Sequence, residues 1–415
     1  MTTMLGLSLA GRRVVFVGGG TVAARRVGRF IDEGALVTVV APRVGDAVRA
    51  LIRAGSVDWI PRDAREEDVD GAWLVHTATA VPAVDATVAA WCERARVFCV
   101  NTSDGAHGSA RLTAETRAGD VIVGVASDAG VDPRRAARLR DAIGAALRDG
   151  MLPLRRRRPA AGRVDLVGGG PGPADLMTVR GRRLLAEADV VVADRLGPTE
   201  VLPELDAEVE VIDVGKRPGH HPVPQEEINA LLVAHARAGK RVVRLKGGDP
   251  FVYGRGGEEV AACLAAGVPV EVVPGLTGVV SVPQAAGIPV THRGVAAGLH
   301  VANGQGPVSA ATRSALADGS TTTVFLMGVG ALPKIVAAAL DAGAPADRSV
   351  AIVERGHTPT QRTTWTTLSN ALADAAAAAV SNPAVIVVGD VAEPGLLLPD
   401  VALEPSAAGS EDVRR

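Results

Sequence analysis

Aromatic side chains are scarce in this chain: phenylalanine, tyrosine and tryptophan together make up 2% of its 415 residues. So few rings exclude the stacking surfaces that single-stranded nucleic acid requires. A net charge of -2 leaves no basic field to draw in a polyanion. Cysteine is scarce as well. Cys92, Cys99 and Cys263 are the three present, at spacings that suit neither a disulfide framework nor a zinc site. A reducing cytoplasm is the expected compartment. No apolar run reaches the roughly 18–20 residues of a membrane span. The opening MTTMLGLSLAGRR lacks a basic stretch ahead of a defined apolar core, so it is not expected to act as a secretion signal.

What is present points to α/β architecture. Hydrophobic residues make up 47% of the chain, and with few rings the cores must be built from Val, Leu, Ile and Ala. That composition suits parallel sheets covered by helices. The length suits two or three domains. Residues 13–18, 36–40, 73–77, 97–101 and 121–126 read as strands of a first parallel sheet, with helices over 22–33, 84–94 and 133–147. Residues 1–150 thus form an expected Rossmann-like domain. A linker over 151–162 carries four successive arginines, Arg155 to Arg158, expected to be solvated charge. A second α/β domain, two-lobed, is expected over 163–400, with strands near 164–168, 190–193, 209–214, 241–245, 270–273, 299–303, 323–327, 350–354 and 385–389. The tail, 401–415, is polar or small and expected to be disordered.

Two glycine-rich turns carry the chemistry. The first, Val17-Gly18-Gly19-Gly20-Thr21-Val22-Ala23, follows a strand and opens a helix. In a dinucleotide fold Gly18 makes the tight turn, Gly20 lets the backbone approach a pyrophosphate, and Ala23 packs helix on strand. The second strand ends in Ala41-Pro42-Arg43, with no carboxylate for a ribose hydroxyl. Arg43 suits a 2′-phosphate, so the residues leave NAD and NADP both open.

The runs GGGTVAARR, VTVVAPR, VNTSDG and VASDAGVDPRRAARLR resemble the precorrin-2 dehydrogenase/ferrochelatase modules of the siroheme synthase family. The resemblance implies cofactor contacts at Thr21, Val22, Pro42 and Arg43 and an essential acid at Asp104. It also implies a serine open to phosphorylation at Ser127, and Fe2+ as a substrate. Taken alone, an aspartate in Thr-Ser-Asp-Gly is a turn residue. The family usually has two adjacent aspartates there, and this chain has Ser103-Asp104. His107 is a lesser candidate by proximity.

The second turn, Val167-Gly168-Gly169-Gly170-Pro171-Gly172-Pro173, is a different device. Pro171 and Pro173 remove two N–H groups where a phosphate site needs donors. A donor-poor loop suits a ligand without phosphates. The surrounding motifs GGGPGPADLMTVRG, GKRPGHHPVPQEEIN, RVVRLKGGDPFVYGRGGEE, VVPGLTG, GIPVTHR and VERGHTPTQR resemble the tetrapyrrole methylase family, and within it the uroporphyrinogen III methyltransferases. The resemblance implies S-adenosyl-L-methionine as methyl donor and uroporphyrinogen III as substrate, with precorrin-2 as product. It implies Asp194 as proton acceptor and Lys216 as proton donor. The donor pocket would use Pro171, Gly247, Gly248, Asp249, Val252, Thr277, Gly278, Met327 and Gly356. Lys216, Arg217, His220, His221, Arg255, His292 and Arg293 form basic clusters suited to the substrate's carboxylates. The two resemblances together imply methylation, then NAD-dependent oxidation, and a homodimer. Asn303-Gly304-Gln305 replaces the family's usual Thr-Gly-His, and the helical region that normally joins the two modules is missing or very short.

Overall fold

The structure is a computed structural model of the whole chain, describing residues 3–127, 132–152, 155, 161–195, 197–215 and 223–397. The chain divides into two compact units, Met1–Ala145 and Ala146–Arg415.

In the first unit five strands, β1 (Arg13–Val17), β2 (Leu36–Val40), β3 (Asp58–Ile60), β4 (Leu74–Thr77) and β5 (Phe98–Asn101), form a parallel sheet in the order β3-β2-β1-β4-β5. Helices α1 (Thr21–Asp32), α2 (Asp46–Arg53) and α3 (Pro82–Ala95) connect its strands, and α4 (Pro133–Arg148) follows. Alternation along β1 splits the core in two. Val14 and Phe16 pack with Val27 and Phe30 of α1, while Val15 and Val17 pack with Val88 and Cys92 of α3. Both faces are therefore covered, and β1 reads as an unbroken apolar run.

Residues 121–126 do not extend this sheet, contrary to expectation. β6 (Ala114–Ala118) and β7 (Val121–Val125) pair antiparallel as a separate hairpin. The cause is local. Only Gly119 and Asp120 separate the strands, and Gly119 takes a φ of 61°, so a tight turn reverses the chain before a crossover can form. Arg29 of α1 reaches Glu115 at 2.5 Å and ties the hairpin down.

His76 of β4 is fully buried, stacked on Phe16 with ring centres 4.9 Å apart. Arg26 lies 2.5 Å from its Nε2. An arginine can only donate, so the imidazole is neutral and accepts. Burial, and then Arg26, lower the His76 pKa from 6.5 to about 4. Between these values the unfolded chain binds the extra proton, so stability is lost as pH falls. The expected loss is up to about 1.4 kcal/mol per pH unit across that window. The pH dependence of the first unit's calorimetric transition, with and without His76→Leu, measures it.

The second unit has two lobes. In the first, β8 (Arg163–Gly168), β9 (Val190–Ala193), β10 (Glu210–Asp213), β11 (Arg241–Lys246) and β12 (Val270–Val273) form a parallel sheet ordered β10-β9-β11-β8-β12. It carries α5 (Val179–Ala186), α6 (Gln225–Arg237) and α7 (Gly256–Ala265), and α8 (Gly278–Ala285) follows β12. The second lobe is a mixed sheet of β13 (Gly298–Asn303), β14 (Thr321–Leu326), β15 (Ser349–Glu354), β16 (Arg362–Thr367) and β17 (Ala384–Val388), in the order β13-β14-β17-β15-β16, with α9 (Ala310–Ala317), α10 (Leu332–Asp341) and α11 (Ala371–Ala377). Only β13 and β14 pair parallel.

Between α4 and β8 the described residues form no helix. They are not all free linker. Gly150, Met151 and Leu152 line a small pocket with Leu185 and Leu205 of the second unit. Arg155 is ion-paired to Asp189 at 3.1 Å and Glu208 at 2.6 Å, so the first of the four arginines is a structural tether. Among the described residues no helix is long and apolar enough to cross a membrane.

Candidate active sites

The first unit holds an open cleft of about 1200 Å³ at the carboxyl ends of its strands. Small-molecule pockets run to roughly 300–1,000 Å³, so this one has room for an extended ligand. Its lining includes Gly18, Gly19, Gly20, Thr21, Val22, Pro42 and Arg43, so the sequence-predicted cofactor positions come together. The strand order places the cleft where the crossovers from β1 reverse direction, the usual ligand crevice of an open parallel sheet.

The local structure fits a dinucleotide. Gly18 has a φ of 110°, and a Cβ there would run into the Ala78 carbonyl. Gly20 caps α1 with no side-chain hydrogen bond, and no acidic residue occupies the first turn. A Cβ built on Gly20 meets nothing within 4 Å. Gly20, Thr21 and Val22 at the start of α1 line the cleft, with no acidic residue in the first turn to counter the helix's positive dipole end, which suits a pyrophosphate.

Thr102 and Ser103 line the same cleft, and Asp104 follows them. Asn101 Oδ1 accepts from the backbone N–H groups of Ser103 (3.0 Å) and Asp104 (3.1 Å). That is the Asx turn expected of this sequence. The Asp104 carboxylate is about half exposed and lies 2.7 Å from His107 Nδ1. Buried Asp85 of α3 accepts from Thr79 Oγ1 at 2.7 Å and from the Ser103 hydroxyl. It thereby joins the loops that follow β4 and β5. Ser127 lies two residues beyond β7 and is partly buried.

In the second unit the donor-pocket residues gather where the strand ends of the first lobe meet the second lobe. Gly248 N donates to Gly170 O at 2.7 Å, stitching the loop after β8 to that after β11. A Cβ on Gly168 would lie 2.5 Å from Gly275 N, so three backbones pass in contact there. Asp249 is a clasp. Its carboxylate accepts from Phe251 N at 2.8 Å and Gly275 N at 3.1 Å, so its oxygens hold the loop rather than reach for a cation. Thr277 caps α8 through its hydroxyl, and Gly278 begins that helix. Val252 packs against the cluster built from α8 and the second sheet. Gly356 sits so close to α8 that a Cβ would be 2.8 Å from Val282 Cγ1.

Backbone strain marks the same loops. Among the described residues, five of the eight non-glycine residues with positive φ are Tyr253, Arg255, Met327, Arg355 and His357. All lie in or beside the predicted donor loops. Each such conformation costs about 1–3 kcal/mol and persists only where its surroundings enforce it. Together with the prolines of the loop after β8, this constrained and donor-poor cradle fits an adenosine that bears a sulfonium in place of a phosphate.

A buried charge network, not foreseen from the sequence, lies behind Asp194. Asp194 follows β9 and is partly exposed. Its Oδ1 accepts from Arg244 Nη2 at 2.6 Å. Arg244 is almost wholly buried, and its Nε donates to Glu259 Oε1 at 2.9 Å. Its Nη1 donates to the carbonyls of Val192 and Leu245. Glu259 of α7 is fully buried and also pairs with Lys246 at 3.0 Å. Burial is the main force pushing the Lys246 pKa below the ordinary lysine range; Arg244 adds to it, and Glu259 and Asp194 oppose it. Arg244 and Lys246 are two apart in β11 and share one face. The signal was visible in RVVRLK, where two cations interrupt an apolar strand.

Lys216, Arg217, His220 and His221 lie outside the described residues. Arg255 forks onto Glu258 at 2.7 and 2.8 Å, while Arg293 is exposed and His292 partly buried. At the rim, Gly304 abuts Gly328, the neighbour of Met327. Gln305 N donates to Asn303 Oδ1 at 2.9 Å.

Comparisons with known proteins agree with this division. Residues 163–372 match the family described as Tetrapyrrole (Corrin/Porphyrin) Methylases. Residues 5–114 match one described as Putative NAD(P)-binding. A siroheme synthase of Gluconacetobacter diazotrophicus is 34% identical over 455 positions, covering 95% of this chain and 96% of that protein. One from Azotobacter vinelandii is 35% identical, covering 92% and 95%. Among solved structures, a cobalt precorrin-4 methyltransferase of cobalamin biosynthesis aligns with a TM-score of 0.51 at 27% identity, over 56% of this chain and 96% of its own.

Proposed function

Because the chain belongs to the siroheme synthase family, we propose that its two sites act in turn on one tetrapyrrole, with named residues in each. The second unit methylates uroporphyrinogen III at C-2 and C-7 to give precorrin-2. The first unit oxidises precorrin-2 to sirohydrochlorin. S-adenosyl-L-methionine supplies an electrophilic methyl group, and NAD accepts a hydride. The observation that carries this reading is the coexistence, in one chain, of a phosphate-ready helix terminus and a phosphate-averse, proline-bearing glycine loop.

Methyl transfer leaves the macrocycle cationic, and a proton must then depart. Asp194 is the proposed acceptor. Arg244 aims its carboxylate through the 2.6 Å contact, and the leaving proton comes from a cation, so a weak base suffices. Lys216 is the proposed proton donor. Gly248, Gly275, Thr277 and Gly356 shape the donor pocket and exclude water from it. In the first cleft Gly18, Gly20, Thr21, Val22, Pro42 and Arg43 hold the dinucleotide. Asp104 takes the proton that leaves with the hydride, with His107 beside it as a partner. Insertion of iron(II) belongs to the same proposal, with Fe2+ as a substrate. So do a homodimer, a cytoplasmic setting and phosphorylation at Ser127.

A variant separates the two activities. Asp104→Ala is expected to retain methylation of uroporphyrinogen III and to lose NAD+-dependent oxidation of the precorrin-2 it makes, by roughly 10²-fold or more. Stopped-flow absorbance of the oxidation step reads this. Unaltered oxidation in the variant would leave Asp104 as a turn residue and remove it from the chemistry.

A further inference from the structure

The first cleft lacks a carboxylate at the end of β2, where a dinucleotide's adenosine ribose is ordinarily held. Pro42 and Arg43 stand there instead. Yet the cleft has an acid. Asp63 is the one carboxylate among its described lining residues, and it comes from the neighbouring strand's loop.

That loop is fixed beside the vacant position. β3 pairs with β2 in register, Ile60 opposite Val40. Ala41 N donates to Ile60 O at 3.2 Å, and Trp59 Nε1 donates to Ala41 O at 2.9 Å. Asp63 follows three residues later. Its neighbour Arg62 does not neutralise it. Arg62 donates to the Asp63 backbone oxygen at 3.0 Å and spends its fork on Asp68 at 2.7 and 2.8 Å. The Asp63 side chain is exposed in the cleft, facing the same space as Arg25, Arg26 and Arg43.

We propose that Asp63, from the β3 loop, takes the role of the missing β2 carboxylate: it accepts the adenosine ribose hydroxyls and makes the cleft prefer NAD+ over NADP+. Two hydroxyls can donate to one carboxylate. A 2′-phosphate removes one of those donors and brings a negative charge against Asp63. Arg43 pulls the other way, so the preference is finite and Asp63 decides its sign. This inference rests on the first cleft being a dinucleotide site.

Calorimetric titration of the full-length protein with NAD+ and with NADP+ tests it by binding, independently of turnover. The wild type should bind NAD+ more tightly. Asp63→Ala should weaken NAD+ roughly ten- to hundredfold, the range for hydrogen bonds to a charged group, while NADP+ binding holds or improves. Asp63→Asn, keeping one acceptor oxygen, should fall between. S-adenosylhomocysteine affinity should not change, which verifies the fold of the variants. A wild type that binds NADP+ more tightly overturns the inference, as does an Asp63→Ala variant with unaltered NAD+ affinity; either leaves the dinucleotide reading standing. A wild type that binds neither overturns both.

Discussion

Replacing Asp194 by asparagine is expected to slow methyl transfer to uroporphyrinogen III by about 10²–10⁴-fold, the range contributed by a positioned proton-transfer group. Asparagine keeps the size and one acceptor oxygen for Arg244 Nη2, which now sits 2.6 Å from the carboxylate. The site should therefore stay assembled, and S-adenosylhomocysteine should bind as before. What goes is the basic oxygen. Rapid-quench measurement of single-turnover methylation checks the rate. A variant as fast as the wild type would show that the proton leaves by another route and that Asp194 only orders the loop.

The second large effect is on stability. Glu259 is fully buried and contacts two cations, Arg244 at 2.9 Å and Lys246 at 3.0 Å. Glu259→Ala leaves both with Asp194 as their remaining nearby acid. Removing one partner from a buried charged group typically costs about 3–5 kcal/mol. The second unit's calorimetric transition should drop accordingly while the first unit's is unmoved. The pH dependence has a definite sign. Burial already depresses Lys246, so above its folded value the unfolded state binds more protons, and stability rises with pH. The variant's deficit should thus shrink toward alkaline pH as Lys246 sheds its charge. A deficit that grows with pH would mean that Lys246 is not the stranded group.

The parts of this fold that were legible in the sequence are those fixed by short-range rules. The strand β1 and helix α1 follow from an apolar run, a glycine turn and helical periodicity, and Gly18, Gly20 and Thr21 fall in one cleft as that pattern requires. The prolines at 171 and 173 separated the second glycine loop from the first by simple loss of donors. The illegible parts depend on pairing between distant segments. β7 read as a sheet strand because its apolar run does not reveal its partner; the turn at Gly119 decided otherwise. β16, Arg362–Thr367, is threonine-rich without apolar alternation and is an edge strand only because β15 supplies its ladder. Arg244, Lys246 and Glu259 escaped notice because a buried charge is explained by its partner, and Glu259 stands on a different element. Asp249, expected in the donor pocket, takes a further role that its sequence position did not disclose: its carboxylate accepts from the backbone amides of Phe251 and Gly275.

Methylation and oxidation by one chain at separate sites can be staged in time. The most direct test supplies the full-length protein with uroporphyrinogen III and S-adenosyl-L-methionine under anaerobic conditions, and adds NAD+ only afterwards. Mass and absorbance spectra are followed throughout. The expected result is a doubly methylated product before NAD+ is added, and its conversion to sirohydrochlorin only afterwards. Absence of any methylated tetrapyrrole in the first stage would contradict it.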